Sequence, residues 1–333
     1  MSRTIDDHIE RVPFSDISLK DPFLGSLRDS YQGFDDWFLR KASANEQAWI
    51  SRNRTTHELQ AMLYLKDEDG DDDSCKPPLH KPRVKIGTFK VAFGHHTSLG
   101  KRLLAIALRY FAESGRPYVY VTMHDAPNTK PLMTMLHQYG FEKIGSKGNE
   151  QVWAKRRPSM MTGNPHATFP FIDPAHDKAF ILSIIPKYHS LMFGDNRLQS
   201  ETNLPVEDEI PTNTIEKVYL SSAPNAARLR SGNRIVIYRT SDKQGPAEYR
   251  SVISAICTVT DTRHISTFAN RADFLNYLKG RSVFKDWELE NFWNSSRFPW
   301  VISMLYNFPL KKRPTRHELL EKRVIEPSRL VCE

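Results

Sequence analysis

The stretch from Lys85 to Leu104 carries more chemistry than any other part of the chain. A strand-like run, KIGTFKVAF, passes through the polar loop HHTSLGKR and opens an amphipathic helix. A helix that starts out of such a loop aims unpaired backbone N–H groups and the positive end of its dipole at one point, the arrangement that binds phosphate. Gly100 has no side chain to hold an anion off the backbone, and Lys101 and Arg102 add positive charge. A pyrophosphate-bearing cofactor suits this segment. His124, which follows the apolar run PYVYVTM, is a candidate general base because an imidazole titrates near neutral pH. His137 and Tyr139 lie close by in the next helical segment.

Other chemistries lack their signatures. Neither His57-Glu58 nor His317-Glu318 extends to HExxH, and no GxSxG elbow or GxxxxGK[ST] loop occurs. The adjacent pair His95-His96 does not converge on one ion without help, and the acidic run from Asp67 to Asp73 lacks the calcium-loop pattern. No metal site is expected. The run reads instead as a solvated turn.

The elements around these residues follow from periodicity. Apolar residues recur at helical spacing from Asp21 to Ala42 with a break at Gly33, predicting two short helices. Glu58–Lys66 and Arg83–Phe93 have strand composition and form a long hairpin across the acidic stretch Asp67–Pro82. Leu99, Leu103, Ala107 and Phe111 make one apolar helical stripe ending near Ser114-Gly115. A buried strand at Pro117–Met123, a helix at Lys130–Tyr139 stopped by Gly140-Phe141, and strands near Phe141–Ile144 and Gln151–Ala154 complete an α/β unit.

In this order, and with this strand–loop–helix and Gly-Phe pair, residues 15–157 resemble the GNAT (Gcn5-related N-acetyltransferase) fold. The family's phosphate loop reads Arg or Gln, two residues, Gly, one residue, Gly or Ala. Aligned on Gly100, this chain has His95 and Ser98 at the first two of those positions. The resemblance implies acetyl-CoA as cofactor, contacted by His95, His96, Thr97, Ser98, Leu99, Gly100 and Lys101, by the backbone of Phe89, Lys90 and Val91, and by Asn128. Many members use a Tyr four residues before the Gly of the Gly-Phe pair, and here Leu136 stands there. His124 as base and Tyr139 as acid are the remaining candidates, and orientation alone supplies much of the rate if neither serves.

Residues 158–177 are rich in turn formers and predict a linker. Beyond it, strands are expected at Phe180–Ile185, Val218–Ser221, Arg234–Arg239, Val252–Thr260 and Trp300–Tyr306, with short helices at Ala223–Leu229, Arg271–Leu278 and Lys285–Trp293. The segments KVYLSSAPNAARLRSGNRIVIYR, SVISAICTVTD, ELENFW and PWVISMLYNFPL make residues 178–333 resemble the PUA-like superfamily, with its ASCH and EVE domains. That resemblance implies a small mixed β barrel that binds RNA, with Lys217, Ser221, Ser222, Arg239 and Arg250 as candidate contacts.

The chain has 333 residues and a net charge of +8, of which +1 falls in residues 1–150 and +7 in residues 151–333. A basic half raises the local concentration of polyanions, so RNA is the first partner to expect. Cys75, Cys257 and Cys332 are too scattered for a disulfide framework, the start is polar, and no apolar run reaches membrane-spanning length, so a cytoplasmic protein away from membranes is expected. The two resemblances together imply acetyl transfer to an amine, with aminoacyl-tRNA as the sharpest acceptor, since its α-amine is partly neutral at pH 7. Such an activity would resemble the acetyltransferase toxins of toxin–antitoxin modules, with an antitoxin-like partner. The alternatives are a protein lysine acceptor, or a degenerate acetyltransferase serving as a reader of modified RNA.

Overall fold

A computed structural model of the chain describes residues 8–53, 55–92, 98–159, 161, 163–172, 179–194 and 214–326. It divides into two compact units, Met1–Ser159 and Met160–Glu333. Among the described residues no helix is long and apolar enough to cross a membrane.

The first unit contains, in order, β1 (Ile9–Pro13), α1 (Gly25–Ser30), α2 (Phe34–Ser43), β2 (Gln47–Arg52), β3 (Leu59–Glu68), β4 (Cys75–Lys76), β5 (Arg83–Val91), α3 (Ser98–Ser114), β6 (Tyr118–His124), α4 (Lys130–Gln138), β7 (Glu142–Lys147) and β8 (Glu150–Arg156). Eight strands form one sheet in the order β1-β2-β3-β5-β6-β8-β7-β4. The break expected at Gly33 is real: its φ of +79° places it in the left-handed region, where a residue without Cβ turns the chain from α1 into α2. α2 covers one face of the sheet, where Phe14, Phe34, Phe38, Ile50, Met62 and Tyr64 pack together. The stripe Leu99, Leu103, Ala107 and Phe111 of α3 is fully buried.

The centre of the sheet is irregular. β5 pairs with β3 along its whole length, but the register jumps: Tyr64 lies opposite Thr88 and Leu65 opposite Ile86, which leaves Gly87 as an extra residue. A bulge of this kind bends a strand and reverses which side chains face each side. Arg83 and Lys85 before it approach the Tyr120 ring, and Lys90 after it turns toward α1, where its ammonium reaches Phe23 O and Ser26 Oγ. Only Gly fits at the bulge, since a Cβ would lie 2.7 Å from Tyr64 Cδ1.

The acidic connection between β3 and β5 is not the solvated turn expected of it. Asp67 and Asp69 pair with Arg116, Asp72 pairs with Lys147 at 2.8 Å, and Cys75 and Leu79 are buried against Tyr118 and Tyr120. Charge made this stretch look solvated, while its two buried residues fasten it down.

The second unit contains α5 (Pro165–Thr168), β9 (Ala179–Ile184), α6 (Pro186–Met192), β10 (Glu216–Ser221), β11 (Arg234–Arg239), α7 (Ala247–Arg250), β12 (Val252–His264), α8 (Arg271–Leu278), α9 (Asp286–Ser295), β13 (Trp300–Pro309) and α10 (Arg316–Glu321). Its sheet runs β10-β13-β12-β11-β9, antiparallel except for β9 beside β11. Among the described residues nothing pairs β9 with β10, so the sheet keeps two edges and the expected barrel is not formed. Part of the expected linker is folded: α5 packs on β12, Phe169 is fully buried, and Asn307 Nδ2 donates to Pro170 O at 3.0 Å.

Candidate active site

The site in the first unit is built by a fork between two parallel strands. β5 and β6 pair only over Val84–Ile86 and Val119–Val121. Beyond that point Thr88–Val91 stays paired to β3 on one side, and among the described residues no strand pairs with the other edge from Gly87 on. Alternate backbone groups of an extended strand point to opposite edges, so about half the N–H and C=O groups of this stretch face the open side of the fork. The residues expected to offer backbone to a ligand, Phe89, Lys90 and Val91, are on this open edge.

The start of α3 lies beside the tip of β5. A Cβ added at Gly100 would meet Val91 Cγ2 at 3.9 Å and the end of Met135, on α4, at 3.8 Å. Gly100 therefore stands where the ends of β5 and α3 meet the middle of α4, half-exposed. Lys101 is half-buried, and Asn128 is exposed in the turn before α4. Leu99 is fully buried, which makes it a core residue of α3 rather than a ligand contact. His95, His96 and Thr97 lie outside the described residues, and Ser98 opens α3.

His124 closes β6 on the other arm of the fork. Thr129 Oγ1 donates to His124 O at 2.7 Å and fixes the turn into α4. The imidazole ring lies 5.4 Å from the Tyr31 ring at an interplanar angle of 33°. Across the β6–β8 ladder His124 stands opposite Glu150, and Tyr31 Oη donates to Glu150 Oε1 at 3.0 Å. Burial first, and then the Glu150 carboxylate, hold the Tyr31 hydroxyl well above the ordinary phenol range.

Tyr139, the other catalytic candidate, does not join this group. Its side chain is 0% exposed, and it caps the far end of α4, about 15 Å along the helix from Thr129 at 1.5 Å per residue. Its carbonyl accepts from Lys155 Nζ at 2.6 Å. Lys155 is itself 1% exposed, and burial pulls its ammonium down from 10.5 to about 7.

The residues expected to bind RNA are dispersed and mostly internal. Lys217 is fully buried with its ammonium over the Phe193 and Tyr306 rings. Arg239 is 1% exposed and donates to Thr240 O and Arg250 O. Arg250 grips Asp242 with two nitrogens, and that bond pulls the Asp242 carboxyl down to about 2. Ser221 Oγ accepts from Ala223 N at 3.1 Å, as a turn cap would, and only Ser222 is exposed. Lys217, Ser221 and Arg239, enclosed in this way, cannot reach a phosphate backbone, whereas Ser222 and the half-buried Arg250 remain at the surface.

Three residues of the first unit's site were missed in the sequence. Gly87 carried a signal, since a lone Gly inside a strand pattern marks a bulge or a close approach. Glu150 acquires its meaning only from the register of β6 with β8. Tyr31 falls among the residues at helical spacing between Asp21 and Ala42, where it passes for one more apolar position.

No family model and no curated protein matches the sequence. Among solved structures, the N-terminal part of the chain is similar to GNAT acetyltransferases. The PaiA N-acetyltransferase of Thermoplasma acidophilum, solved with coenzyme A, is 13% identical, with 46% of this chain and 99% of that one covered and a TM-score of 0.31. A GNAT acetyltransferase from Staphylococcus aureus is 13% identical over 45% of this chain and 99% of that one, with a TM-score of 0.32. One from Listeria monocytogenes is 17% identical over 40% and 83%, with a TM-score of 0.30.

Proposed function

We propose that the first unit is an N-acyltransferase that takes acetyl from acetyl-CoA and gives it to a primary amine. The observation that carries this reading is the open edge of β5 from Gly87 to Val91, running from the fork to the start of α3 at Gly100. An extended pantetheine arm with its amides is complementary to an unpaired strand edge, in the way a peptide adds to a sheet. The pyrophosphate that follows such an arm suits a helix start where a missing Cβ leaves room. The Thermoplasma relative carries coenzyme A, which agrees with this assignment.

Bound there, the thioester would supply an activated acetyl group and a thiol leaving group. The chain's own part is to hold the arm on β5, to place backbone donors from the fork where the acetyl oxygen gains charge, and to take a proton from the amine. His124 is the group placed to accept that proton, at the end of β6 with its backbone fixed by Thr129. Tyr139, enclosed at the far end of α4, takes no part. The carrier of the amine is assigned to RNA on charge alone, since residues 151–333 hold +7 of the net charge.

The test is release of thiol from acetyl-CoA by the intact chain, with total tRNA and total protein as separate acceptors, and intact-mass identification of the acetylated product. His124→Gln should lower turnover by about 10²-fold or more while leaving coenzyme A affinity unchanged. An intact chain that binds no coenzyme A in calorimetry overturns the reading. Acetylation confined to protein would remove RNA as the carrier.

A further inference from the structure

We propose, building on the acyltransferase reading, that Glu150 and Tyr31 form the subsite for the acceptor, and that this subsite selects an amine arriving as its ammonium ion. Three segments far apart in sequence meet here: Tyr31 after α1, His124 at the end of β6 and Glu150 at the start of β8. His124 and Glu150 are opposed across an antiparallel ladder, so their Cβ atoms are about 4.5–5.5 Å apart on the same face.

Glu150 is half-buried, and among the described residues no Lys, Arg or His lies in ion-pair contact with it, while the Lys85 ammonium feels its charge from farther off. The Tyr31 hydroxyl supplies its side-chain hydrogen bond. A carboxylate held by one neutral donor is a place that a cation can take. An ammonium group brings three donors and a full charge, and its bonds to a carboxylate are roughly twice as strong as those of a neutral hydroxyl. The exchange leaves the Tyr31 ring beside the same point, where an aromatic face also attracts a cation. Tyr31 thus occupies the acceptor's place until an ammonium displaces its hydroxyl. The acceptor is then delivered next to His124, the group that removes its proton.

The experiment is a ligand-observed NMR titration of the intact chain with coenzyme A present. Three probes are compared: phenylalaninamide with an α-ammonium, Nα-acetyl-lysinamide with an ε-ammonium, and 3-phenylpropionamide, which is neutral. At least one ammonium probe should bind at least tenfold more tightly than the neutral amide. Glu150→Gln keeps an acceptor for Tyr31 Oη, so the fold should hold, and unchanged coenzyme A affinity in the same sample verifies it. That variant should weaken the ammonium probe about tenfold or more, Glu150→Asp should restore part of the loss, and Tyr31→Phe should leave binding equal or tighter. Neutral and cationic probes of equal affinity, no binding of either amine, or an unmoved Glu150→Gln would each overturn the subsite. Coenzyme A binding that survives any of these outcomes leaves the acyltransferase reading standing, so the two fail separately.

Discussion

Replacing Lys155 by Met should change how the stability of the first unit depends on pH. The buried ammonium protonates at about 7 in the folded chain, against 10.5 for an ordinary lysine. Between those values the unfolded chain holds a proton that the folded chain has shed, so stability rises with pH, at about 1.4 kcal/mol per pH unit. From pH 7, where the folded group is half protonated, to pH 9, the wild type gains roughly 2 kcal/mol from this one side chain. Over the whole window up to 10.5 the gain approaches about 5 kcal/mol. Below pH 7 the group is charged in both states and the full cost of burying it is present. A methionine side chain in its place does not titrate. The substitution also removes the donor to Tyr139 O, at about 1–3 kcal/mol, but that loss is the same at every pH. The assay is calorimetric unfolding of the intact chain and of Lys155→Met at pH 7, 8 and 9. In the transition of the first unit the wild type should gain roughly 5–10 °C on the variant between pH 7 and 9. Parallel curves for the two proteins would refute a neutral, buried amine.

Three further outcomes follow from the geometry. Gly87→Ala puts a Cβ 2.7 Å from the Tyr64 ring, which is itself wedged against Phe14 and Trp37, so it should cost about 1–3 kcal/mol in unfolding experiments and weaken coenzyme A binding. Unchanged stability would mean that the ring yields. Gly100→Ala should fold normally, because its Cβ would meet only ordinary contacts at 3.8–3.9 Å, but should weaken coenzyme A binding by crowding the phosphate, and Gly100→Glu should abolish binding in calorimetry. Arg239→Ala should destabilise the second unit by roughly 2 kcal/mol or more and leave any salt-dependent RNA affinity unchanged, since its guanidinium bonds two carbonyls in the interior; weaker RNA binding without lost stability would reverse that assignment.

The parts of the fold with a strong period were legible. The stripe of α3, the break at Gly33 and the run Arg234–Arg239 each stand where spacing and turn chemistry put them. Short or half-polar elements were not: β1 and β4 are set by the partners they pair with, and nothing local in IERVP or CK announces a strand. The open edge of β5 is a backbone property, and only the Gly inside the strand hinted at it. The charged residues of the second half failed for a different reason. Composition shows that a basic residue is present but not whether its charge is already used, and Asp242 and interior carbonyls use those of Arg250 and Arg239. Likewise Tyr139 follows Leu136 by one helical turn, and the face that they share is buried.

The three residue pairs joining β5 to β6 make a narrow seam across the middle of an eight-stranded sheet. One sub-sheet, β1-β2-β3-β5, meets another, β6-β8-β7-β4, over little more than one strand turn of ladder. Yet β4 comes from the connection between β3 and β5, so chain belonging to the first sub-sheet crosses over and pairs with β7 at the far edge of the second. Gly145 makes this crossing possible, because a Cβ there would sit 2.3 Å from Lys76 O. The acidic excursion is in effect a strap, buckled at Gly145, over a seam that side chains also cross, Tyr120 Oη of β6 donating to Glu68 of β3 at 2.8 Å. A ligand laid along Gly87–Val91 would act as a further rivet, and the amide hydrogens of the strands flanking the seam should exchange more slowly with it bound than without it.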